Sequence, residues 1–184
     1  QFDPNSISQS ALYKLLTGTI IPRPIGWISS ISASGINNLA PFSFFNAVGE
    51  DPPHVMFSTV RTGNKNKDTL NNVLETGQFV VNLVTEDVVE KMNTTAETLD
   101  PNIDEFAYAG LTPIPCSKVK PMRVLERKVS FECELVHHYS LENHKNGGAT
   151  IMIGGVVMFH VDDEIVDENH RINLEKYNPV ARLA

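Results

Sequence analysis

The strongest constraint on the fold is an alternation of side-chain type over residues 129–139, to which Val136 is the exception. One face of this segment carries Val129, Phe131, Cys133, Leu135, His137 and Tyr139, and the other carries Ser130, Glu132, Glu134 and His138. A period of two predicts a half-buried antiparallel strand, because successive side chains of a strand point to opposite faces. Gly147 and Gly148 predict a turn, and residues 149–161 predict a long strand that returns beside the first. Gly154 and Gly155 within it predict a bulge or a close approach of a ligand or another backbone.

Other segments predict a chain of short strands with a few helices in the connections. Strands are predicted over residues 25–32, 41–48, 54–60 and 79–84, with turns at Ser34-Gly35 and Asn37-Asn38. Helices are predicted over residues 8–16, 68–75, 86–92 and 103–109, the first ended by Gly18 and the second by Gly77. Long helices do not alternate with the strands, so we expect a mainly β protein, a closed antiparallel barrel with short peripheral helices. The length favours a single domain over residues 1–184.

The composition excludes several classes of partner. Lys and Arg number 15 against 22 Asp and Glu, a net charge of −7, whereas proteins that bind nucleic acid or anionic membranes need clustered cations. The longest apolar run, residues 151–159, is far below the roughly 20 residues of a spanning helix. Two cysteines are too few for a disulfide scaffold, and no secretory signal pattern opens the chain. We therefore expect a cytoplasmic protein that binds neither nucleic acid nor membrane.

Four stretches, residues 21–30, 38–46, 51–59 and 66–72, predict one ligand site. In the second, Pro41 stiffens the backbone among aromatic residues, which suits a flat heterocycle held by main-chain hydrogen bonds. Arg61, Lys65, Lys67 and Thr69 surround the point where a loop joins a predicted helix, and free N–H groups, a hydroxyl and cations form a phosphate site there. The alternative interpretation of these cations is an ordinary solvated loop. No His-Glu-x-x-His or Cys-x-x-Cys pattern predicts a metal site.

The order of these motifs resembles one family. The motifs are Pro-Arg-Pro-Ile at 22–25, Asn-Leu-Ala-Pro-Phe-Ser-Phe-Phe-Asn at 38–46, Lys-Asp-Thr at 67–69 and Tyr-Asn-Pro-Val-Ala-Arg-Leu at 177–183. Together they resemble the FMN-binding split-barrel proteins of the flavin reductase-like family, the flavoredoxin type in particular. The resemblance covers residues 12–183, nearly the whole chain.

The resemblance implies a six-stranded antiparallel Greek-key split β-barrel, a homodimer and noncovalently bound FMN. It places Trp27 and Ser29 at the edge of the isoalloxazine, residues 38–43 along the ring, and Ser58 and Arg61 at the phosphate. The FMN-binding residues that it implies are Trp27, Ser29, Asn38, Leu39, Ala40, Pro41, Ser43, Ser58, Arg61, Lys67, Asp68 and Thr69. Burial in an interface is the alternative role for Trp27. No catalytic side chain is expected, because the flavin carries out the redox step.

One departure from the family's sequence pattern leads to two alternative functional predictions. Flavin reductases of this family commonly carry Gly-Asp-His at the start of the late strand, with the His linked to nicotinamide binding, whereas Gly148 and Ala149 stand here in place of Asp and His. The first prediction is an NAD(P)H-dependent, flavin reductase-like oxidoreductase that passes electrons through FMN to a small-molecule or protein acceptor. The alternative is a flavoredoxin-like FMN electron carrier without direct NAD(P)H reductase activity. A third type, the pyridoxamine-phosphate oxidases, is disfavoured by the motif at 38–46.

Overall fold

The computed structural model describes residues 1–61, 65–141 and 148–184, most of them in short strands and helices. The strands are β1 (Arg23–Pro24), β2 (Gly26–Ile31), β3 (Asn37–Phe42), β4 (Phe45–Glu50), β5 (Pro53–Val60), β6 (Gln78–Leu83), β7 (Pro113–Ile114), β8 (Arg123–Val124), β9 (Val129–Leu141), β10 (Ala149–Val161) and β11 (Ala181–Arg182). The helices are α1 (Gln9–Thr19), α2 (Asp68–Thr76), α3 (Val89–Thr94), α4 (Glu105–Tyr108) and α5 (Leu174–Tyr177). The predicted turn residue Gly147 lies outside the described residues.

The main sheet closes into a barrel because its two edge strands are neighbours in the chain. Its order is β3-β2-β6-β9-β10-β5-β4, and every pairing is antiparallel. Only Ser43 and Phe44 separate β3 from β4, so the Cα atoms of Phe42 and Phe45 are three residues apart and at most about 11 Å from each other. The sheet must therefore curl until its edges approach, and the 2.9 Å bond from the Ser58 N–H to the Phe44 carbonyl extends the pairing of β4 and β5 into this connection. This confirms the predicted mainly β, antiparallel barrel.

The segment that closes the barrel differs from its predicted form. The single strand predicted over residues 41–48 is two strands, and Asn37 and Asn38 lie in β3 instead of in a turn. The Asn37 and Asn38 amides donate to Asp104 Oδ2 and Glu105 Oε1, both over 2.9 Å. Distant carboxylates thus take the amides that would otherwise bond locally and favour a turn.

The helix signals were largely sufficient to predict the helices. The Ser8 hydroxyl accepts the Ala11 N–H at the start of α1, and Gly77, with φ of 70°, follows α2 as predicted. The prediction that Gly18 ends α1 is wrong. Gly18 lies inside the helix, and the bond from the Ile20 N–H to the Leu16 carbonyl continues the helical pattern beyond it.

The hairpin of β9 and β10 follows the predicted alternation only in part. Phe131, Cys133 and Leu135 pack into or against the core, but His137 and Tyr139 are exposed, so the predicted inner face ends at Leu135. The opposite face is also buried near the start of β9, because residues 117–119 cover it. The register shifts between Ile153 and Gly154, which confirms the predicted bulge.

Two apolar clusters fill the protein on either side of the sheet segment formed by β2 and β3. The first comprises Ile28, Phe42, Phe45, Val55, Phe57, Leu70, Val73, Phe79, Val81, Cys133 and Met152. The second comprises Ile25, Trp27, Leu39, Val84, Val88, Met92, Phe106, Leu111 and Val124. Ile28 and Phe42 pack into the first cluster and Trp27 and Leu39 into the second, so apolar residues of β2 and β3 are buried on both sides of this part of the sheet.

Candidate functional site

A groove beside β3 is formed by two adjoining pockets of about 310 and 600 Å³. Pro41, Phe42, Lys67 and Ala96 line both pockets, so the two are continuous. The smaller pocket lies among β3, the first turn of α2 and residues 95–101. The larger pocket lies among residues 41–44, β5, α3 and residues 180–184. A groove of this size accommodates a cofactor of several rings.

Charge distinguishes the two halves of the groove. The charged residues that line the smaller pocket are Lys65, Lys67, Asp68, Glu97 and Glu105. Among the described residues, the charged side chains that line the larger pocket are those of Lys67 and Arg182, and no Asp or Glu lines it. An anionic group is therefore favoured in the larger pocket and at its junction with the smaller one, near Lys67.

The N-terminus of α2 meets the groove at this junction without a capping side chain. Lys67 occupies the capping position, and its carbonyl accepts the N–H groups of Leu70 and Asn71 over 3.0 and 3.2 Å. The N–H groups of Asp68 and Thr69 precede these bonds and have no acceptor within the helix. Free N–H groups, the helix dipole and the Lys67 ammonium together suit a phosphate.

The larger pocket also offers an extended apolar surface. Its apolar lining residues include Tyr13, Ile25, Phe42, Phe44, Val60, Val89, Met92 and Val180. Ser43 and Ser58 add hydroxyl groups at the same wall. Apolar walls with a few polar groups are typical of a site for a flat heterocycle.

Eight of the twelve residues predicted to bind a cofactor line this groove. They are Asn38, Ala40, Pro41, Ser43, Ser58, Lys67, Asp68 and Thr69. These residues come from β3, the barrel closure, β5 and α2, so the fold brings the separate motifs together.

The other four predicted residues lie elsewhere. Trp27, Ser29 and Leu39 are completely buried behind the groove wall and have no surface with which to contact a ligand. The Trp27 indole N–H donates to the Thr95 hydroxyl over 2.8 Å, which uses its one polar group. Arg61 is exposed and lines neither pocket. The three buried residues thus support the wall from behind.

Asn38 and Thr69 bond to each other across the groove floor. The Thr69 hydroxyl donates to Asn38 Oδ1 over 2.7 Å, and the Ser30 hydroxyl donates to the same oxygen over 3.1 Å. Because a hydroxyl has one hydrogen, Thr69 cannot donate to a ligand while this bond persists. The backbone N–H of Thr69 is the group that it can offer at the helix N-terminus.

Glu105 is the principal groove residue that the sequence reasoning missed. Its carboxylate accepts from Asn38 Nδ2 over 2.9 Å and from the Leu39 N–H over 3.1 Å. Burial raises the pKa of Glu105, although these hydrogen bonds oppose the shift. The only local signal was Asp104, whose side chain caps α4 by accepting the Phe106 N–H, and it does not reveal a contact with a strand far away in the chain.

Arg23, from the Pro-Arg-Pro motif, holds the far wall of the groove together. Its guanidinium donates to the carbonyls of Thr17 and Ile20, the latter over 2.7 Å, and lies 3.4 Å from the carbonyl of Leu183. The Arg23 side chain is almost wholly buried, and Nε lies 3.4 Å from the Ser43 hydroxyl. One side chain therefore links α1, the barrel closure and the segment after β11.

Within the described residues, no helix is long and apolar enough to cross a membrane. In the same part of the chain, no three or more His, Cys, Asp and Glu side chains converge in an arrangement that could hold a metal ion.

A family model and known proteins match most of this chain. The model of the flavin reductase like domain matches residues 17–178. An uncharacterized protein of Aquifex aeolicus is 48% identical over 173 residues, 94% of this chain and 86% of the relative.

Two solved structures are similar over the whole chain. Nitrilotriacetate monooxygenase component B from Bacillus cereus has a TM-score of 0.96 and 37% identity, covering 100% of this chain and 91% of the other. The 2-nitrobenzoate 2-nitroreductase NbaA of Pseudomonas fluorescens has a TM-score of 0.87 and 29% identity, covering 100% of this chain and 87% of the other.

Proposed function

Because this chain belongs to the flavin reductase-like family, we propose that it is an oxidoreductase that binds FMN in the groove beside β3. The observation that carries the proposal is the junction of the two pockets, where Lys67 and the uncapped N-terminus of α2 adjoin a wide apolar pocket. A flavin with a phosphate tail needs both features, and the two predicted motifs at 38–46 and 67–69 supply them.

The described residues fit the parts of FMN. Lys67 and the N–H groups of Asp68 and Thr69 would hold the phosphate, with the Ser58 hydroxyl nearby. Residues 40–44 and the apolar wall of the larger pocket would hold the ring. Arg61 lines neither pocket, so it would reach the phosphate only from outside them. Bound FMN would supply the redox chemistry, accepting a hydride and passing electrons onward.

We propose that the electron donor is NAD(P)H and that the acceptor is a small molecule or a protein partner. The similarity to a monooxygenase component B, at 37% identity, supports delivery of electrons or reduced flavin to another component. Gly148 and Ala149 favour the alternative, a flavoredoxin-like carrier, because they replace the Asp-His pair associated with nicotinamide binding. We also propose a cytoplasmic location.

A homodimer is part of the proposal. Strands β4, β5 and β9 expose apolar side chains, namely Val48, Val60, Val136, Tyr139 and Leu141. Val60 also lines the larger pocket, so a second copy that covers these side chains would lie beside the proposed flavin site. Burial of these side chains supplies a driving force for association.

Quenching of FMN fluorescence on titration with purified protein tests the central claim. We expect saturable quenching, and its absence would overturn the proposal. Anaerobic stopped-flow mixing of the FMN complex with NADH, NADPH or dithionite then separates the two functions. Rapid loss of the visible flavin absorbance with a nicotinamide supports the reductase, whereas loss with dithionite alone supports the carrier.

A further inference from the structure

We propose that Glu105 is a positioning residue that holds the strand wall of the groove, β3, in register with the phosphate end, the first turn of α2. The inference rests on the proposed FMN site, because it states how that site is kept in shape. Glu105 belongs to α4 and does not itself need to touch the ligand.

Glu105 holds β3 through both of its carboxylate oxygens. Oε1 accepts from Asn38 Nδ2 over 2.9 Å, and Oε2 accepts from the Leu39 N–H over 3.1 Å. β3 is an edge strand of the sheet, and the Leu39 N–H points away from β2. The next residue on that edge is Pro41, which has no N–H. Glu105 therefore provides the hydrogen-bond acceptor for the Leu39 N–H, the donor on this edge that borders the groove. Only 7% of the surface of Glu105 is exposed.

The contact with Glu105 determines the orientation of the Asn38 amide. Because Nδ2 faces a carboxylate, Oδ1 must face the opposite way, where it accepts the Thr69 hydroxyl over 2.7 Å and the Ser30 hydroxyl over 3.1 Å. Asn72 Nδ2 in turn lies 3.2 Å from the Ser30 hydroxyl. One carboxylate on α4 thereby connects β3 to two residues of α2.

This chain of bonds ends at the residues proposed to hold the phosphate. Thr69 lies in the first turn of α2, two residues after Lys67, and is almost completely buried. A shift of Asn38 would move Thr69 and the free N–H groups relative to the ring wall. Misplacement of such donors by fractions of an ångström weakens binding even when every contact residue is still present.

Substitution can exchange the donor and the acceptor of the Glu105–Asn38 hydrogen bond without loss of hydrogen bonds. In Glu105→Gln, the new amide N–H₂ opposes either the Asn38 N–H₂ or the Leu39 N–H while the Asn38 amide keeps its orientation. Turning that amide over would relieve the conflict but break the bond that Asn38 Oδ1 accepts from Thr69. In the double variant Asn38→Asp/Glu105→Gln, the amide at position 105 donates to the carboxylate at position 38. Its oxygen still accepts the Leu39 N–H, and the second carboxylate oxygen still accepts from Thr69 and Ser30. The net charge of the pair is unchanged.

The test is a double-mutant cycle on the FMN dissociation constant, measured by fluorescence quenching, with the melting temperature of each variant measured in parallel. We expect Glu105→Gln to raise the constant about tenfold and the double variant to restore it to within about threefold. Glu132→Gln is the matched control, since Glu132 is also buried and also accepts backbone N–H groups, but lies outside the groove. It should change the constant less than about twofold while lowering the melting temperature.

The outcomes distinguish this inference from the proposed function. A native protein that does not quench FMN overturns both. Unchanged FMN affinity in Glu105→Gln, or failure of the double variant to restore a lost affinity, overturns the positioning role alone. If Glu105→Gln does not fold, Thr69→Val tests the other end of the chain of bonds by removing the hydroxyl donor to Asn38. It should weaken FMN binding several-fold, and unchanged affinity would overturn the inference.

Discussion

Gly154 on β10 lies against the ring of Phe79 on β6, although β9 separates the two strands in the sheet. A Cβ atom at position 154 would lie 2.7 Å from Phe79 Cε1 and 3.1 Å from Cys133 Cβ, closer than side-chain atoms pack. The two rings of Phe57 and Phe79, with centroids 5.2 Å apart, occupy the centre of the barrel beside this point. Only glycine leaves room for this arrangement.

We therefore expect Gly154→Ala to lower the free energy of unfolding by about 1–3 kcal/mol, as overpacked cores do. Urea unfolding followed by Trp27 fluorescence measures the change. Gly18→Ala is the control, because no heavy atom lies within 4 Å of a Cβ there. It should raise the stability by about 0.5–1 kcal/mol, the ordinary effect in a helix. Equal stability of Gly154→Ala and the native protein would contradict the packing argument.

Glu132 predicts a pH dependence of stability. It is fully buried, and burial alone raises the pKa of a carboxyl group, but the N–H groups of residues 117–119 and His160 Nε2 donate to it and lower the pKa of Glu132 overall. A carboxyl group whose pKa is lower in the folded state contributes stability above its ordinary pKa. That contribution disappears as the pH falls toward the folded value.

The difference in unfolding free energy between the native protein and Glu132→Gln should thus be largest above about pH 5 and shrink below about pH 4.3. Urea unfolding across this range measures it. Glu126→Gln is the control, since Glu126 also accepts a backbone N–H, that of Thr112, but is only partly buried, whereas Glu132 is fully buried. A difference for Glu132→Gln that stays constant with pH would show that its carboxylate is not the stabilising group.

Lys67 should discriminate between FMN and riboflavin. Lys67→Ala removes the cation at the junction of the pockets, so it should weaken FMN about tenfold and riboflavin less than about twofold. Fluorescence quenching with each flavin provides the comparison. Lys120→Ala, at an exposed position away from the groove, should affect neither ligand. Equal losses for both flavins would remove Lys67 from the phosphate site, and the same measurement on Arg61→Ala decides the role of Arg61.

Cys116 should react slowly with alkylating reagents although it is only partly buried. Burial, and secondarily the Glu132 charge, raise the pKa of Cys116 to about 12, so the reactive thiolate is scarce at pH 8. We expect iodoacetamide to modify Cys116 at least about tenfold more slowly in folded than in unfolded protein, because the loss of thiolate outweighs the greater nucleophilicity of a high-pKa thiolate. Mass spectrometry of the peptide that contains Cys116 measures the two rates. Rapid modification of folded Cys116 would contradict this environment.

Much of the fold could be predicted from the sequence, because the residues that favour each strand, turn or helix end are neighbours in the chain. The alternation that begins at Val129, the bulge at Gly154 and the end of α2 at Gly77 all depend on local backbone preferences or on side chains two residues apart. The failures have a different cause. Asn37 and Asn38 favour a turn by composition, but Asp104 and Glu105 take their amides and leave the segment in a strand.

By itself, the sequence determined the strand pattern, the family and the set of motifs from which a flavin site is expected, since each is written in contiguous residues. Only the tertiary structure decided which of those residues face the groove. It buried Trp27, Ser29 and Leu39 behind the wall, because the alternating side chains of β2 and β3 pack into a core on both faces. It also brought Glu105 to Asn38 across 67 positions of the chain. Such a contact depends on how the barrel closes, and no local preference of either residue encodes it.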